Sequence, residues 1–241
     1  MYTRIIALST LFVTTLSPFN SAFAENVADI SIDRKTTALL ITDPQNDFLA
    51  ETGAAFGLVK DNLKTIGTIE NIESLFIVAK KTGLPVFVSP HLYFPHDAKW
   101  KSRGSLQKTM NEIKMFHVSH PLNHTEFEGS GADFLKRYKK YIFDDKTTVT
   151  SPHKVYGPES NDLVLQLRKQ GIQTVLVGGM AANLCTDSHM RELVEQGFDV
   201  IMIKDAVGAP GDAAYQAAIT NYSMIANAVV STKDAIKLMA N

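Results

Sequence analysis

VLVGGMAANLCTDSHMRELVEQG, residues 175–197, reads as a buried strand that runs into a helix. Val175, Leu176 and Val177 form the kind of short apolar run found in a strand covered on both faces. Gly178, Gly179 and a series of small residues follow, and Cys185 opens the next periodic stretch. The same alternation continues on either side. Upstream, residues 37–43 (TALLITD) form another short apolar run. Leu63, Ile66, Ile69, Ile72 and Leu75 then recur every third residue, which predicts an amphipathic helix as far as Lys81, ended by Gly83. LPVFVSP is a strand and TTVTS a weak one. ESNDLVLQLRKQG is a helix with Ser160 or Asn161 as N-cap and Gly171 as its stop. Downstream, DVIMIKDA and AVVST are strands, and AAYQAAITNYSMIAN and KDAIKLMA are helices. Strand and helix in such alternation fit a parallel sheet with helices on both faces. Residues 93–146 are the irregular part, polar, with a helix expected near residues 132–141. Long excursions of this kind often form lids or pocket walls.

The 241 residues suit one large domain or two small ones. Apolar residues at 45% and charged residues at 20% fit a soluble globular chain. A net charge of −1 offers no basic field for nucleic acid, which excludes that class of partner. The chain has no internal repeat or low-complexity tract. Its start differs in character from the rest. Arg4 precedes an apolar run over residues 5–13, and Ala22-Phe23-Ala24 stands before Glu25 as an A-x-A cleavage site. This is the layout of a secretory signal peptide over residues 1–24, with the functional domain over residues 25–241. The alternative is a retained membrane anchor. The expectation is a soluble protein, secreted or, in a bacterium, periplasmic, with no membrane association once the signal is removed.

Export raises the question of Cys185, the only cysteine. Oxidising compartments favour disulfides, yet a single cysteine has no partner in its own chain. It is either a small buried hydrophobe or a working thiol. In parallel α/β sheets, sites form at the C-terminal ends of strands. Asp43, Lys154 and Cys185 all fall at such ends. A thiol attacks a carbonyl as thiolate. The N-terminus of a helix, the charge of Lys154 and a base at Asp43 would each favour that form. The small residues Gly178, Gly179, Ala181 and Ala182 let backbone N–H groups approach a developing oxyanion.

These residues resemble the isochorismatase-like cysteine hydrolases, which include nicotinamidases, carbamoylsarcosine amidases, ureidoacrylate and biuret hydrolases, and isochorismatases. ALLITDPQNDFL, KVYGPESNDLVLQL and LVGGMAANLCTDSHMRELVEQGFDVIMIKDAVGA match in order, and the resemblance spans residues 37 to about 231. It implies a Rossmann-like three-layer α/β/α sandwich around a six-stranded parallel sheet. It implies a catalytic triad of Asp43, Lys154 and Cys185, and a cis peptide at Met180-Ala181. The N–H groups of Ala181 and Cys185 would then form the oxyanion hole. The mechanism it implies is covalent, through a Cys185 thioester, with cleavage of a C–N bond in a small amide, ureide or carbamoyl compound. Phe48, Tyr93, Trp100 and Tyr156 are the candidate pocket walls. Relatives commonly assemble as dimers or tetramers, so a homo-oligomer is expected.

The pattern departs from the family in places. Nicotinamidases hold a metal through an Asp-x-His pair after the second strand. Here Ser89 stands where that carboxylate would be, with His91, His96 and a displaced Asp97 nearby. Two histidines five apart can bind zinc, but surface or supporting roles are commoner. No metal and no cofactor are therefore expected. YGPES also replaces the more usual sequence after the lysine. Two other readings stay open. One is a vinyl-ether hydrolase with Asp43 as acid and Cys185 incidental. The other is a catalytically silent member that binds a ligand.

Overall fold

The structure is a computed structural model that describes residues 30–120 and 125–241. The expected signal peptide lies outside the described residues. Among those described, no helix is long and apolar enough to cross a membrane.

Six strands form one sheet: β1 (Thr37–Thr42), β2 (Val86–Ser89), β3 (Thr147–Val149), β4 (Thr174–Gly179), β5 (Asp199–Val207) and β6 (Ala228–Val230). Their order is β3-β2-β1-β4-β5-β6, and every pairing is parallel. This is the expected doubly wound architecture. β1 shows how the sequence builds it. Leu39 and Ile41 pack into the core on one face, and Ala38 and Leu40 into the core on the other. A strand buried on both sides needs apolar residues at every position.

Nine helices are seen among the described residues: α1 (Asn46–Leu49), α2 (Phe56–Ile66), α3 (Thr68–Thr82), α4 (Ser105–Glu112), α5 (Lys139–Ile142), α6 (Leu163–Lys169), α7 (Asp187–Glu195), α8 (Asp212–Ile225) and α9 (Thr232–Ala240). Apolar residues of α2, α3 and α9 share the core of Leu39 and Ile41, and those of α6, α7 and α8 share the core of Ala38 and Leu40. The three layers are thus helices, sheet and helices.

Local differences from the sequence reading have physical causes. The helix expected to run to Lys81 is two helices, because Gly67 takes a left-handed conformation (φ 75°) that ends α2 and starts α3. The helix expected near residues 132–141 is only a 3₁₀ turn (Lys136–Tyr138) and the short α5. The preceding backbone is committed elsewhere: Phe134 bridges Gln45, and the Leu135 N–H donates to the Pro44 carbonyl. The N-cap position of α6 is Asp162, with Asn161 Oδ1 accepting from the Leu163 N–H at 3.0 Å. Cys185 lies in a π turn (Ala182–Thr186), and α7 begins two residues later.

The end of β4 is tightly specified. Gly179 has φ 119°, and a Cβ there would lie 2.2 Å from the Thr42 carbonyl oxygen. Only glycine lets β1 and β4 close at this point. The Thr42 hydroxyl lies within hydrogen-bond reach of the Gly178 and Met180 carbonyls and the Thr186 hydroxyl. It ties β1 to both ends of the turn that carries Cys185. The Met180-Ala181 peptide is cis, as the resemblance implied.

Candidate active site

Four adjacent strands each deliver one residue to a single point. Asp43 follows β1, His91 follows β2, His153 lies beyond β3, and Cys185 follows β4. Strand order reverses between β1 and β4, where open α/β sheets place their ligands. One potential ligand atom from each of the four lies within 4.8 Å of the others, and all four side chains are buried. Asp43 sits there with φ 45°, a left-handed conformation that aspartate tolerates better than most residues.

The partner of Asp43 is His153, not Lys154. His153 Nε2 donates to Asp43 Oδ1 at 2.7 Å, with neither side chain exposed. The Lys154 ammonium donates instead to Asp97 at 2.6 Å and lies 3.4 Å from the centre of the Phe94 ring. Burial lowers the Lys154 pKa, and the Asp97 contact opposes this. In this structure the lysine expected in the triad closes a loop, while its neighbour in sequence reaches Asp43. Lys154→Met should leave turnover within about threefold of wild type. It should cost about 1–3 kcal/mol of stability, because Asp97 loses its cation in a nearly dry place. Turnover assays and urea denaturation check both halves. A loss of activity by orders of magnitude would place Lys154 in the triad.

The thiol also differs from expectation. Burial raises the Cys185 pKa well above its ordinary value, and the nearby Asp43 carboxylate pushes the same way. The backbone N–H groups of Ala181 and Cys185 pull against them. These are the two donors expected to form the oxyanion hole. The balance favours the protonated thiol at rest.

A polar chain fixes the turn that bears the thiol. His189 Nδ1 donates to the Cys185 carbonyl at 2.7 Å. With that nitrogen protonated, Nε2 accepts from the Ser89 hydroxyl at 2.8 Å, and Asn161 Nδ2 donates to the same hydroxyl at 2.9 Å. Burial, then the neighbouring His153, push His189 down to about 3, which keeps it neutral in this role. His91 is held through its backbone. Its N–H donates to Gln45 Oε1, and Gln45 Nε2 donates to its carbonyl. Its ring lies against Tyr93 and Phe116. Burial, and then His153, push its pKa well below the usual histidine range. The Lys154 backbone opposes this shift but makes no hydrogen bond of normal geometry, and both ring nitrogens lack a partner.

A cavity of about 250 Å³ opens onto Cys185. Phe48 and Tyr156 line it, as expected. Tyr93 and Trp100 do not: Tyr93 is fully buried behind His91, and Trp100 packs edge-on against Tyr93. The missing walls come from Leu58 and Val59 on α2, Leu106, Thr109 and Met110 on α4, and Ile113 and Met115 beyond it. Among the described residues, none that lines it carries a charge. A wider hollow of about 640 Å³, lined by Arg34, Lys35, Thr82 and Pro85, lies at the opposite end of the sheet and holds none of these groups.

Sequence reasoning missed Gln45, His153 and His189, and it weighed His91 only as a metal ligand. His153 left one signal, its place beside a lysine that the family pattern had singled out. His189 left another, its place one helical turn after Cys185.

A family model described as an isochorismatase domain matches residues 37–234. The chain is similar to a cysteine hydrolase from Pseudomonas syringae pv. phaseolicola 1448A. Their TM-score is 0.71 at 19% identity, over 88% of this chain and 95% of that one. It is also similar to N-carbamoylsarcosine amidase from Thermoplasma acidophilum, with TM-score 0.58 and 20% identity over 82% and 96% of the two chains. The ureidoacrylate amidohydrolase RutB of Methylobacterium radiotolerans is 22% identical over 193 residues, 80% of this chain and 75% of that protein. At such identities the structural likenesses speak for the fold alone.

Proposed function

The chain belongs to the isochorismatase family, whose members are hydrolases, and on that premise we propose that it is a cysteine amidohydrolase acting on a small, uncharged amide. The observation that carries this reading is the buried Asp43–Cys185 pair beneath a charge-free cavity. Asp43 takes the Cys185 proton as the sulfur attacks the carbonyl carbon. The N–H groups of Ala181 and Cys185 hold the resulting oxyanion. Asp43 then passes the proton to the amide nitrogen, and the C–N bond breaks to leave a thioester. Water attacks the thioester, Asp43 takes its proton, and the released sulfur takes that proton back. His153 orients the carboxylate through one directional hydrogen bond.

The cavity narrows the substrate class. A charged group moved into it would lose water and find no counter-ion among the lining residues. The substrate is therefore an amide, ureide or carbamoyl compound with an apolar substituent rather than a carboxylate. Export belongs to the same reading, supported by the Arg4, apolar and A-x-A pattern over residues 1–24. Assembly into a homo-oligomer is supported by the family resemblance.

The test is a hydrolysis screen of matched pairs, each an apolar amide and its carboxylate-bearing analogue. The apolar member should be cleaved at least about 100-fold faster in kcat/KM, the cost of burying an unpaired charge. Preference for the charged analogue would overturn the substrate class. Cleavage of no C–N bond across the screen would overturn the amidohydrolase reading.

A further inference from the structure

We propose that Asp43, His91, His153 and Cys185 together bind one zinc-class divalent cation, which holds Cys185 as thiolate and masks it. This goes beyond the hydrolase reading, which gives His91 no task, and against the sequence expectation of no metal.

The ligand set comes first. Zinc favours four ligands drawn from imidazole nitrogen, thiolate sulfur and carboxylate oxygen, and these four residues supply two, one and one. Bonds of about 2.0–2.3 Å set the corners of a tetrahedron about 3.3–3.8 Å apart. The four atoms here are no more than 4.8 Å apart, close to that spacing. Charge balances as well. The cation's two positive charges meet the Asp43 carboxylate and the Cys185 thiolate, with both imidazoles neutral. The thiol proton leaves for solvent, one per metal bound.

The independent observation is the idle polarity. A buried imidazole normally pairs its nitrogens. His91 is fully buried, and neither nitrogen has a partner. Asp43 Oδ2 and His153 Nδ1 are also unpaired, although the hydrogen bond between those two residues occupies their other atoms. Unused acceptors and donors converge on the thiol from three strands. The position of His91 is built rather than accidental, since Gln45 clamps its backbone on both sides. A thiolate bound to a cation cannot attack a carbonyl. Metal capture thus switches the nucleophile off and shields it from oxidation.

The test uses the full chain stripped of metal with a chelator. One equivalent of Zn²⁺ should slow iodoacetamide alkylation of Cys185 at least 100-fold, and chelator should restore it. Co²⁺ should give the intense visible absorption of a four-coordinate site with a sulfur-to-cobalt charge-transfer band. His91→Phe removes one ligand and leaves an apolar ring between Tyr93 and Phe116. It should keep the metal-free alkylation rate and lose the protection. Should that variant fail to fold, Cys185→Ser serves: it should lose the charge-transfer band. Equal alkylation with and without Zn²⁺, or an unchanged Co²⁺ spectrum in either variant, overturns the site. The two readings separate cleanly. A reactive thiol with no Co²⁺ band removes the metal site and leaves the hydrolase. A Co²⁺ band on a thiol inert in metal-free protein keeps the metal site and removes the nucleophile.

Discussion

Cys185→Ala should abolish the proposed amide hydrolysis, with kcat falling at least about 10⁴-fold, the scale on which nucleophile removal acts in thiol and serine hydrolases. The size follows from covalent catalysis. Without the sulfur no thioester forms, and the remaining groups can only orient substrate and stabilise an oxyanion. The side chain is small and nearly fully buried, so alanine fits its place and the fold is retained. Substrate should still bind, because the cavity walls are untouched. Steady-state kinetics with a binding measurement on the same variant checks both parts. Two other mechanisms predict different results. A vinyl-ether hydrolase that uses Asp43 as acid keeps its turnover in this variant. A silent ligand-binding protein shows no turnover to lose.

Asp43→Asn gives the second large effect, and it carries two readouts of opposite sign. Hydrolysis should fall about 10³-fold, because asparagine cannot take the thiol proton. Alkylation of the metal-free thiol at pH 8 should rise, by about tenfold for each unit that its pKa drops. The sign follows from the charges. The Asp43 carboxylate raises the Cys185 pKa, so the neutral amide lets it fall, and more thiolate is present at a fixed pH below it. Burial still raises the thiol pKa in the variant, so alkylation remains pH-dependent. The asparagine carbonyl can go on accepting from His153 Nε2, which preserves the geometry. Should alkylation slow together with hydrolysis, the carboxylate is not what holds the resting thiol protonated.

The sheet was legible because most of its strands announce themselves, β3 least. Runs of consecutive apolar residues, as at 38–41 in β1 and 175–177 in β4, have few other places to go. Asp43 and Cys185 were legible for a related reason, since strand ends are fixed once strands are. His153 was not. The family pattern asks for a lysine, and the residue type drew the reading one position along, to a side chain that the backbone turns toward Asp97. The elevated thiol pKa was also hidden. Helix ends and neighbouring charges can be guessed from sequence, but complete burial depends on residues contributed by four strands. The cavity walls were the least visible part. α4 carries Gln107, Lys108, Thr109 and Asn111, so its pattern reads as polar. Its contribution is Leu106, Thr109 and Met110, which line the cavity together with residues of distant α2. Tyr93 and Trp100 misled because large aromatics suit a wall and a core equally well.

The reacting groups stand on sheet ends that Gly179 and Thr42 lock together, whereas much of the cavity wall stands on α2, α4 and the residues just beyond. Leu58, Leu106 and Ile113 in that wall are also partly open to solvent and make few demands on the core. Heritable variation is therefore tolerated unequally across the molecule. Drift at those three positions can change which molecules are admitted without disturbing bond breaking. One scaffold can in this way radiate into enzymes of different diet while its chemistry stays fixed.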